Sequence, residues 1–356
     1  MSEALRRIAI AAGGTAGHVI PALAVADALR AEGAEVTFIG GERAEAQLVP
    51  AAGYPLRTIS VEGLSRENPL RAARGLARAL RATLRARSLL GDLEPHAVMG
   101  GGGYVAGPVG LAALSRRIPL VLSEADSHLG LTNRALARFA RTVCLSFPIA
   151  GRQAPRYRLT GRPIPSHTAD RAGARERFGI GPGELCVLVF GGSLGARSVN
   201  EAALGAFTSG AFHVLHVCGR RDYPHLSGHP LPVGYDLREY LDIGAFTEAL
   251  LASDLVVARA GGSVFELAAY GLPAILIPYP HASADHQSTN ARWMSEAGAA
   301  IVIEDAKLTA AGLAREVAAL LANPARMAAM ASASRRLARP DAAREIAGEL
   351  LRAAAR

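Results

Sequence analysis

The apolar run Ile8-Ala9-Ile10-Ala11-Ala12 ends in Gly13-Gly14-Thr15-Ala16-Gly17-His18 and continues as Val19-Ile20-Pro21-Ala22-Leu23-Ala24-Val25-Ala26. That order reads as strand, tight turn, helix. Glycine lets a backbone turn sharply and approach a ligand closely. The N–H groups that open a helix lack partners inside it, so such a turn suits a phosphate. His18 adds a group that exchanges protons near neutral pH. The device recurs: Leu185-Cys186-Val187-Leu188-Val189-Phe190 runs into Gly191-Gly192-Ser193-Leu194-Gly195-Ala196, and Ala97-Val98-Met99 into Gly100-Gly101-Gly102-Gly103-Tyr104. Two of these turns, Gly13 to His18 and Gly191 to Ala196, lie near the starts of the two halves of the chain. Their placement predicts an α/β protein of two Rossmann-like, doubly wound domains facing across a cleft.

The pattern between the turns agrees. Val36-Thr37-Phe38-Ile39-Gly40, Ala97-Val98-Met99, Pro119-Leu120-Val121-Leu122 and Thr142-Val143-Cys144-Leu145 alternate with helical stretches, the first of them expected over 21–32. Such alternation builds a parallel sheet covered on both faces. Around 158–165 it breaks into a proline-rich connector. We therefore expect domains at 1–162 and 163–339, with a last helix at about 340–356 packing back on the first.

The chain has 356 residues, half of them apolar, which is enough for two cores. Its formal net charge is +8, and Lys307 is the only lysine, so the positive charge is almost all arginine. Cys144, Cys186 and Cys218 are odd in number and far apart, which fits a reducing compartment and no zinc site. No run of about 18 apolar residues predicts a transmembrane helix. Glycines, Thr15 and His18 interrupt the stretch after Arg6-Arg7, so no export signal is expected. These features point to a soluble or peripheral protein.

Arg71, Arg74, Arg78, Arg81 and Arg85 recur every three or four residues, on one helical stripe, with Leu70, Leu76, Leu80 and Leu84 beside them. A solvated face is one reading. Attraction to an anionic membrane surface is the other, at about 1 kcal/mol for each basic residue. Nucleic acid is disfavoured, because stacking aromatics are absent nearby.

Two polar constellations could carry chemistry. Ser123-Glu124-Ala125-Asp126-Ser127-His128 follows a strand, at the edge where α/β sheets bind ligands, although Asp126 or Ser127 could simply cap a helix. Arg259-Ala260-Gly261-Gly262-Ser263-Val264-Phe265-Glu266 follows another strand and opens a helix. Gly261, Gly262 and Ser263 can offer backbone N–H groups to a diphosphate, and the Glu266 carboxylate can accept from vicinal hydroxyls such as those of ribose. The loop after the next strand, through Asp285-His286-Gln287-Ser288-Thr289-Asn290, is rich in groups that hydrogen-bond sugar hydroxyls.

Taken together, these stretches resemble the MurG family of UDP-sugar glycosyltransferases, which have the two-Rossmann GT-B fold. The resemblance is carried, in family order, by Gly13 to Ala24, Gly102 to Pro108, Gly130 to Arg134, Gly191 to Ala196 and Asp285 to Ala291. It implies transfer of N-acetylglucosamine from UDP-GlcNAc to undecaprenyl-diphosphate-muramyl-pentapeptide (lipid I), giving lipid II for peptidoglycan at the cytoplasmic face of the membrane. It implies Thr15, Ala16 and Gly17 beside the donor, with the N-terminal glycine loops near the acceptor diphosphate. It also implies Ser193 at the UDP phosphates, Ile243 near uracil, Gly262, Ser263, Val264 and Phe265 along the nucleotide, Glu266 on ribose and Gln287 on the GlcNAc hydroxyls. Three departures stand out. Ser123-Glu124-Ala125-Asp126 replaces the usual His-Glu-Gln-Asn, so Asp126 stands where an asparagine touches the donor sugar. Pro165 replaces a usual arginine, with Arg162 nearby, and the stretch around Gly262 is one residue shorter than in some members.

The expected chemistry is inverting and needs no metal or other cofactor, since no Asp-x-Asp motif is present and backbone N–H groups would meet the charge on departing UDP. His18 is the first candidate base and Glu124 the second. A UDP-GlcNAc 2-epimerase, or a family transferase with another lipid acceptor, is the alternative. A nicotinamide dehydrogenase is disfavoured, because Gly13-Gly14-x-x-Gly17 misses the dinucleotide spacing.

Overall fold

The computed structural model describes residues 5–60, 69–165, 169–192, 194–282 and 285–355, with the backbone alone over 69–77. Two compact units emerge. One comprises Met1–Ser166 with Arg339–Arg356, the other His167–Ala338.

Among the described residues, the first unit carries a seven-stranded sheet: β1 (Arg7–Ala11), β2 (Glu35–Gly40), β3 (Leu56–Thr58), β4 (Ala97–Gly100), β5 (Leu120–Glu124), β6 (Thr142–Leu145) and β7 (Tyr157–Leu159). The strands are all parallel, in the order β3-β2-β1-β4-β5-β6-β7. Alternation along β1 divides the core: Ile8 and Ile10 face one helical layer, Ala9 and Ala11 the other. The first layer includes Val19, Val25 and Leu29 of the helix Ala16–Ala31, and Ile346 and Leu350 of the last helix, Ala342–Ala354. The second includes Ala86 and Leu90 of Pro69–Leu93, and Val109 and Ala113 of Ala106–Ser115. Apolar cover on both faces explains why these strands read as nearly continuous apolar runs.

The connector expected at 158–165 instead begins with a strand, since β7 joins the sheet edge, and the division between units falls at Ser166. The helix expected over 21–32 starts at Ala16 and holds Pro21 inside it. Proline has no N–H to give the carbonyl four residues back. Here Arg162 Nη2 donates to Gly17 O, so that carbonyl keeps a partner.

The second unit carries β8 (Cys186–Phe190), β9 (His213–Val217), β10 (Tyr235–Arg238), β11 (Leu255–Ala258), β12 (Ala274–Leu276) and β13 (Ala300–Val302), parallel, in the order β10-β9-β8-β11-β12-β13. Val187, Val189, Leu255 and Val257 pack against Val199 and Ala203 of the helix Arg197–Ala206, and against Leu313 and Val317 of Ala310–Leu321. No helix among the described residues is long and apolar enough to cross a membrane.

Candidate active site

In the first unit the turn after β1 does not open wholly outward. Gly14, at φ +105°, directs its N–H to Glu45 Oε2 at 2.8 Å. Glu45 Oε1 accepts from Gly41 N–H at 2.9 Å and from Tyr104 O–H at 2.7 Å. One N–H of the turn is thus committed to a buried carboxylate, while the helix that begins at Ala16 carries no side-chain cap. Burial pushes Glu45 up, but its hydrogen bonds to backbone N–H groups and Tyr104 outweigh that and hold it below the usual carboxylate value. The glycine run after β4 then lies directly on the turn. A Cβ on Gly103 would overlap Gly13 O, and one on Gly102 would come within 2.6 Å of His18 Cδ2. Only glycine fits at either place.

His18 is half-buried, with Nδ1 3.3 Å from Thr15 Oγ1. Burial first, then the Arg162 guanidinium, lowers its pKa, against smaller opposing effects of Asp126 and Glu45. The imidazole is therefore neutral near pH 7 and able to accept a proton. Thr15, Ala16, Gly17 and His18 open one helix, and Asp126 lies close enough to bear on the imidazole's charge.

Glu124 ends β5, buried, and its oxygens are already occupied. Oε1 accepts from Asp126 N–H at 3.1 Å, and Oε2 from Gly130 N–H and Asn133 Nδ2, each at 2.9 Å. Burial still raises its pKa over these bonds. The carboxylate ties together the loop that carries Asp126, and Asn133 adds a bond to Ser123 O at 3.1 Å.

In the second unit Ser193 lies outside the described residues. The other expected positions sit at the C-terminal ends of parallel strands: Gly262, Ser263, Val264, Phe265 and Glu266 after β11, Gln287 beyond β12, and Ile243 after β10. Glu266 is in the first turn of Val264–Tyr270 and half-buried. Gln287 Oε1 accepts from Tyr279 N–H at 2.9 Å, which pins its carbonyl end. Ile243 opens a helix capped by Asp242, whose side chain accepts from Ala245 N–H at 2.9 Å.

Helix starts in this unit fall into two kinds. Those at Arg171, Ile243, Ala310 and Pro324 are capped by Asp170, Asp242, Thr309 and Asn323. Those at Arg197, Tyr223, Val264 and His286 carry no side-chain cap. Among the described residues nothing lies within 4 Å of where a Cβ on Gly192 or Gly261 would sit, so that backbone can be approached closely. Uncapped helix starts beside open glycine backbone suit an anionic ligand.

The groups beneath these loops include Arg259 and Asn290, which belong to the stretches singled out in the sequence, and Asn200, Asp222 and His216, which no motif marked. Arg259, buried after β11, donates from Nη1 to Ile277 O (3.1 Å), Pro278 O (3.2 Å) and Asp305 Oδ1 (2.6 Å), and from Nη2 to Ser198 Oγ (2.8 Å). One guanidinium thus joins the segments after β8, β11, β12 and β13. Asn290, also buried, donates to Ala260 O at 2.9 Å. Asn200 Nδ2 donates to Cys218 O and to Asp222 Oδ2, both at 2.9 Å, and its Oδ1 lies 3.0 Å from His216 Nε2. His216 Nδ1 is 2.8 Å from Tyr235 Oη. The available signal was a histidine within the buried strand His213-Val214-Leu215-His216-Val217, where a polar group needs a partner. Glu45, in what looks like a solvated helix start, gave none.

Each half matches a family domain. The glycosyltransferase family 28 N-terminal domain covers 8–145 and its C-terminal domain 186–346, so the fold and its strand-end loops are those of a glycosyltransferase. A Moorella thermoacetica protein named UDP-N-acetylglucosamine–N-acetylmuramyl-(pentapeptide) pyrophosphoryl-undecaprenol N-acetylglucosamine transferase is 40% identical, over 97% of this chain and 98% of its own length. The chain belongs to this family, the MurG family. The crystal structure of Acinetobacter baumannii MurG aligns with a TM-score of 0.76 at 29% identity, over 98% of this chain and 99% of that one. A Listeria monocytogenes structure described as a candidate UDP-N-acetylglucosamine 2-epimerase has a TM-score of 0.70 at 17% identity, over 97% and 95% of the two chains. That likeness is one of fold alone.

Proposed function

We propose that this protein transfers N-acetylglucosamine, with inversion, from UDP-GlcNAc to undecaprenyl-diphosphate-muramyl-pentapeptide, forming lipid II. The observation that carries the reading is the near end-to-end likeness to transferases named for that donor and acceptor. The second unit supports donor binding: uncapped helix starts for the diphosphate, the Glu266 carboxylate for ribose, and the amide nitrogen of Gln287 for sugar hydroxyls. The first unit supports proton transfer. Neutral His18 takes the proton of the acceptor hydroxyl as that oxygen attacks the anomeric carbon and UDP leaves. Arg162 beside it offers positive charge to the acceptor's diphosphate. Glu124, with its oxygens occupied, holds the Asp126 loop in place. Labelled UDP-GlcNAc and lipid I should yield a labelled disaccharide lipid. Label that stays water-soluble, as an epimerised sugar, would overturn the reading. Turnover should persist in excess EDTA, because backbone N–H groups meet the charge on UDP. Loss that magnesium restores would refute metal independence.

The acceptor's polyprenyl tail requires contact with the membrane, which we assign to the helix Pro69–Leu93 as a peripheral surface at the cytoplasmic face. The side chains of Arg71, Arg74, Leu70 and Leu76 lie outside the described residues, but further along Arg78, Arg81 and Arg85 are exposed beside Leu80 and Leu84. The buried side is Ala82, Ala86, Leu89 and Leu90, so Leu80 and Leu84 face away from the core. Replacing the three described arginines by glutamine should weaken sedimentation with anionic vesicles and spare UDP binding. Unchanged sedimentation at low salt would sink this assignment.

A further inference from the structure

Glu45 is fully buried, near the start of the helix Ala44–Ala51, and plays no part in the chemistry proposed above. Its two oxygens gather donors from three separate loops: Gly14 after β1, Gly41 after β2 and Tyr104 after β4. The Tyr104 bond fixes the end of the glycine run in which Gly103 seats on Gly13 O and Gly102 meets the imidazole of His18. The Tyr104 ring lies against Gly14, where a Cβ would be 3.4 Å from Cδ1. The Arg43 guanidinium lies over the same ring, 5.0 Å from its centre. The surface against which His18 rests is therefore assembled by one carboxylate.

We propose that Glu45 is a positioning residue for His18, clasping the β1 turn to the β4 glycine run so that the imidazole is held against Gly102. The proposal rests on His18 as the base. A second consequence follows from charge. The charged groups that bear on His18 are Arg162, Asp126 and Glu45, with Thr15 Oγ1 at Nδ1. Glu45 is one of two negative charges that oppose Arg162, so its removal leaves the imidazole harder to protonate.

Glutamine at this position keeps the shape, but its NH₂ must face the N–H of Gly14 or Gly41, leaving that donor without an acceptor. Glu45→Gln should lower kcat by about 10- to 100-fold, as expected for losing a charge-assisted hydrogen bond. UDP affinity should not change. The acid limb of the kcat profile should move to lower pH. Glu45→Asp and Tyr104→Phe keep the negative charge, so both should leave the limb in place while lowering kcat. A folded Glu45→Gln enzyme with wild-type kcat, or with lowered kcat and an unmoved limb, would overturn the proposal. If Glu45→Gln does not fold, Tyr104→Phe decides: full kcat there overturns the clasp. A wild-type profile without an acid limb that depends on His18 overturns the base assignment as well, and is distinguished by its appearance before any change at Glu45.

Discussion

Both halves of the chain run an apolar parallel strand into a glycine turn, yet opposite chemistry lies beneath the two turns. Under Gly13 to His18 sits a buried carboxylate, and Gly14 gives it an N–H. Beside Gly191 to Gly195 the nearby carboxylate, Asp222, is matched by Arg221 at 2.8 Å and by the Asn200 amide at 2.9 Å. The rest of that cluster is neutral: burial pushes His216 down to about 3. The first turn thus rests on a buried negative charge with the Arg162 guanidinium beside it, and the second on a balanced cluster. Turn geometry alone therefore does not select a ligand. On the function proposed above, the group beneath the turn separates proton chemistry in one unit from nucleotide binding in the other.

The largest test of this contrast is His18→Gln. Loss of a positioned base should lower kcat by about 10²–10⁴-fold. Affinity for UDP should not change, because no donor group assigned to the nucleotide is removed. Equal losses in kcat and in calorimetric UDP affinity would erase the distinction between the turns. In the wild type, the acid limb of kcat should fall below the ordinary imidazole value of about 6.5, since burial and Arg162 both disfavour the charged ring. Glu266→Ala is the reciprocal experiment, with a smaller effect. Removing a charge-assisted bond to ribose should weaken UDP binding by about 1.5–3 kcal/mol. A folded Glu266→Ala protein that binds UDP like the wild type would contradict the ribose assignment.

The contrast also shows what a sequence discloses. Strands buried on both faces are legible, because Val187-Leu188-Val189 must be apolar throughout. Short edge strands are not. Leu56–Thr58, Tyr157–Leu159 and Tyr235–Arg238 contain Arg57, Arg158 and Asp236, and three or four residues are too few to show a period. Pro21 misplaced the start of the first helix, because proline usually marks a first turn. Inside this helix the carbonyl that Pro21 leaves without its N–H, Gly17 O, is met by Arg162, 145 positions from Gly17 in sequence. The candidate site divides in the same way. Gly13 to His18 and Gly261 to Glu266 stand out as local patterns that join flexible backbone to polar side chains. Glu45, Asn200 and Asp222 act through partners brought near only by folding, and no local pattern marks them.

The smallest expected effect concerns acid stability, and it tests whether the second turn's support is neutral. His216 is held between Tyr235 and Asn200 with no exposed surface. Its folded-state pKa, about 3, lies below the unfolded value of about 6.5. Below pH 6.5 the unfolded chain therefore binds a proton that the folded chain refuses. Stability is fully present above that pH and declines as pH falls toward 3, by up to about 1.4 kcal/mol per unit from this group. Glu45 acts lower down: its depressed pKa removes stability only as pH falls below the usual carboxylate range. The two supports should thus separate between pH 6.5 and 5. Urea unfolding of the wild type at pH 7 and 5.5 should show a loss that His216→Asn, which cannot titrate, lacks. The variant is expected to be less stable at both pH values, so the difference between them is the measurement. Equal losses in the two proteins would mean that His216 protonates within the fold, and the second turn would then rest on charge as the first does.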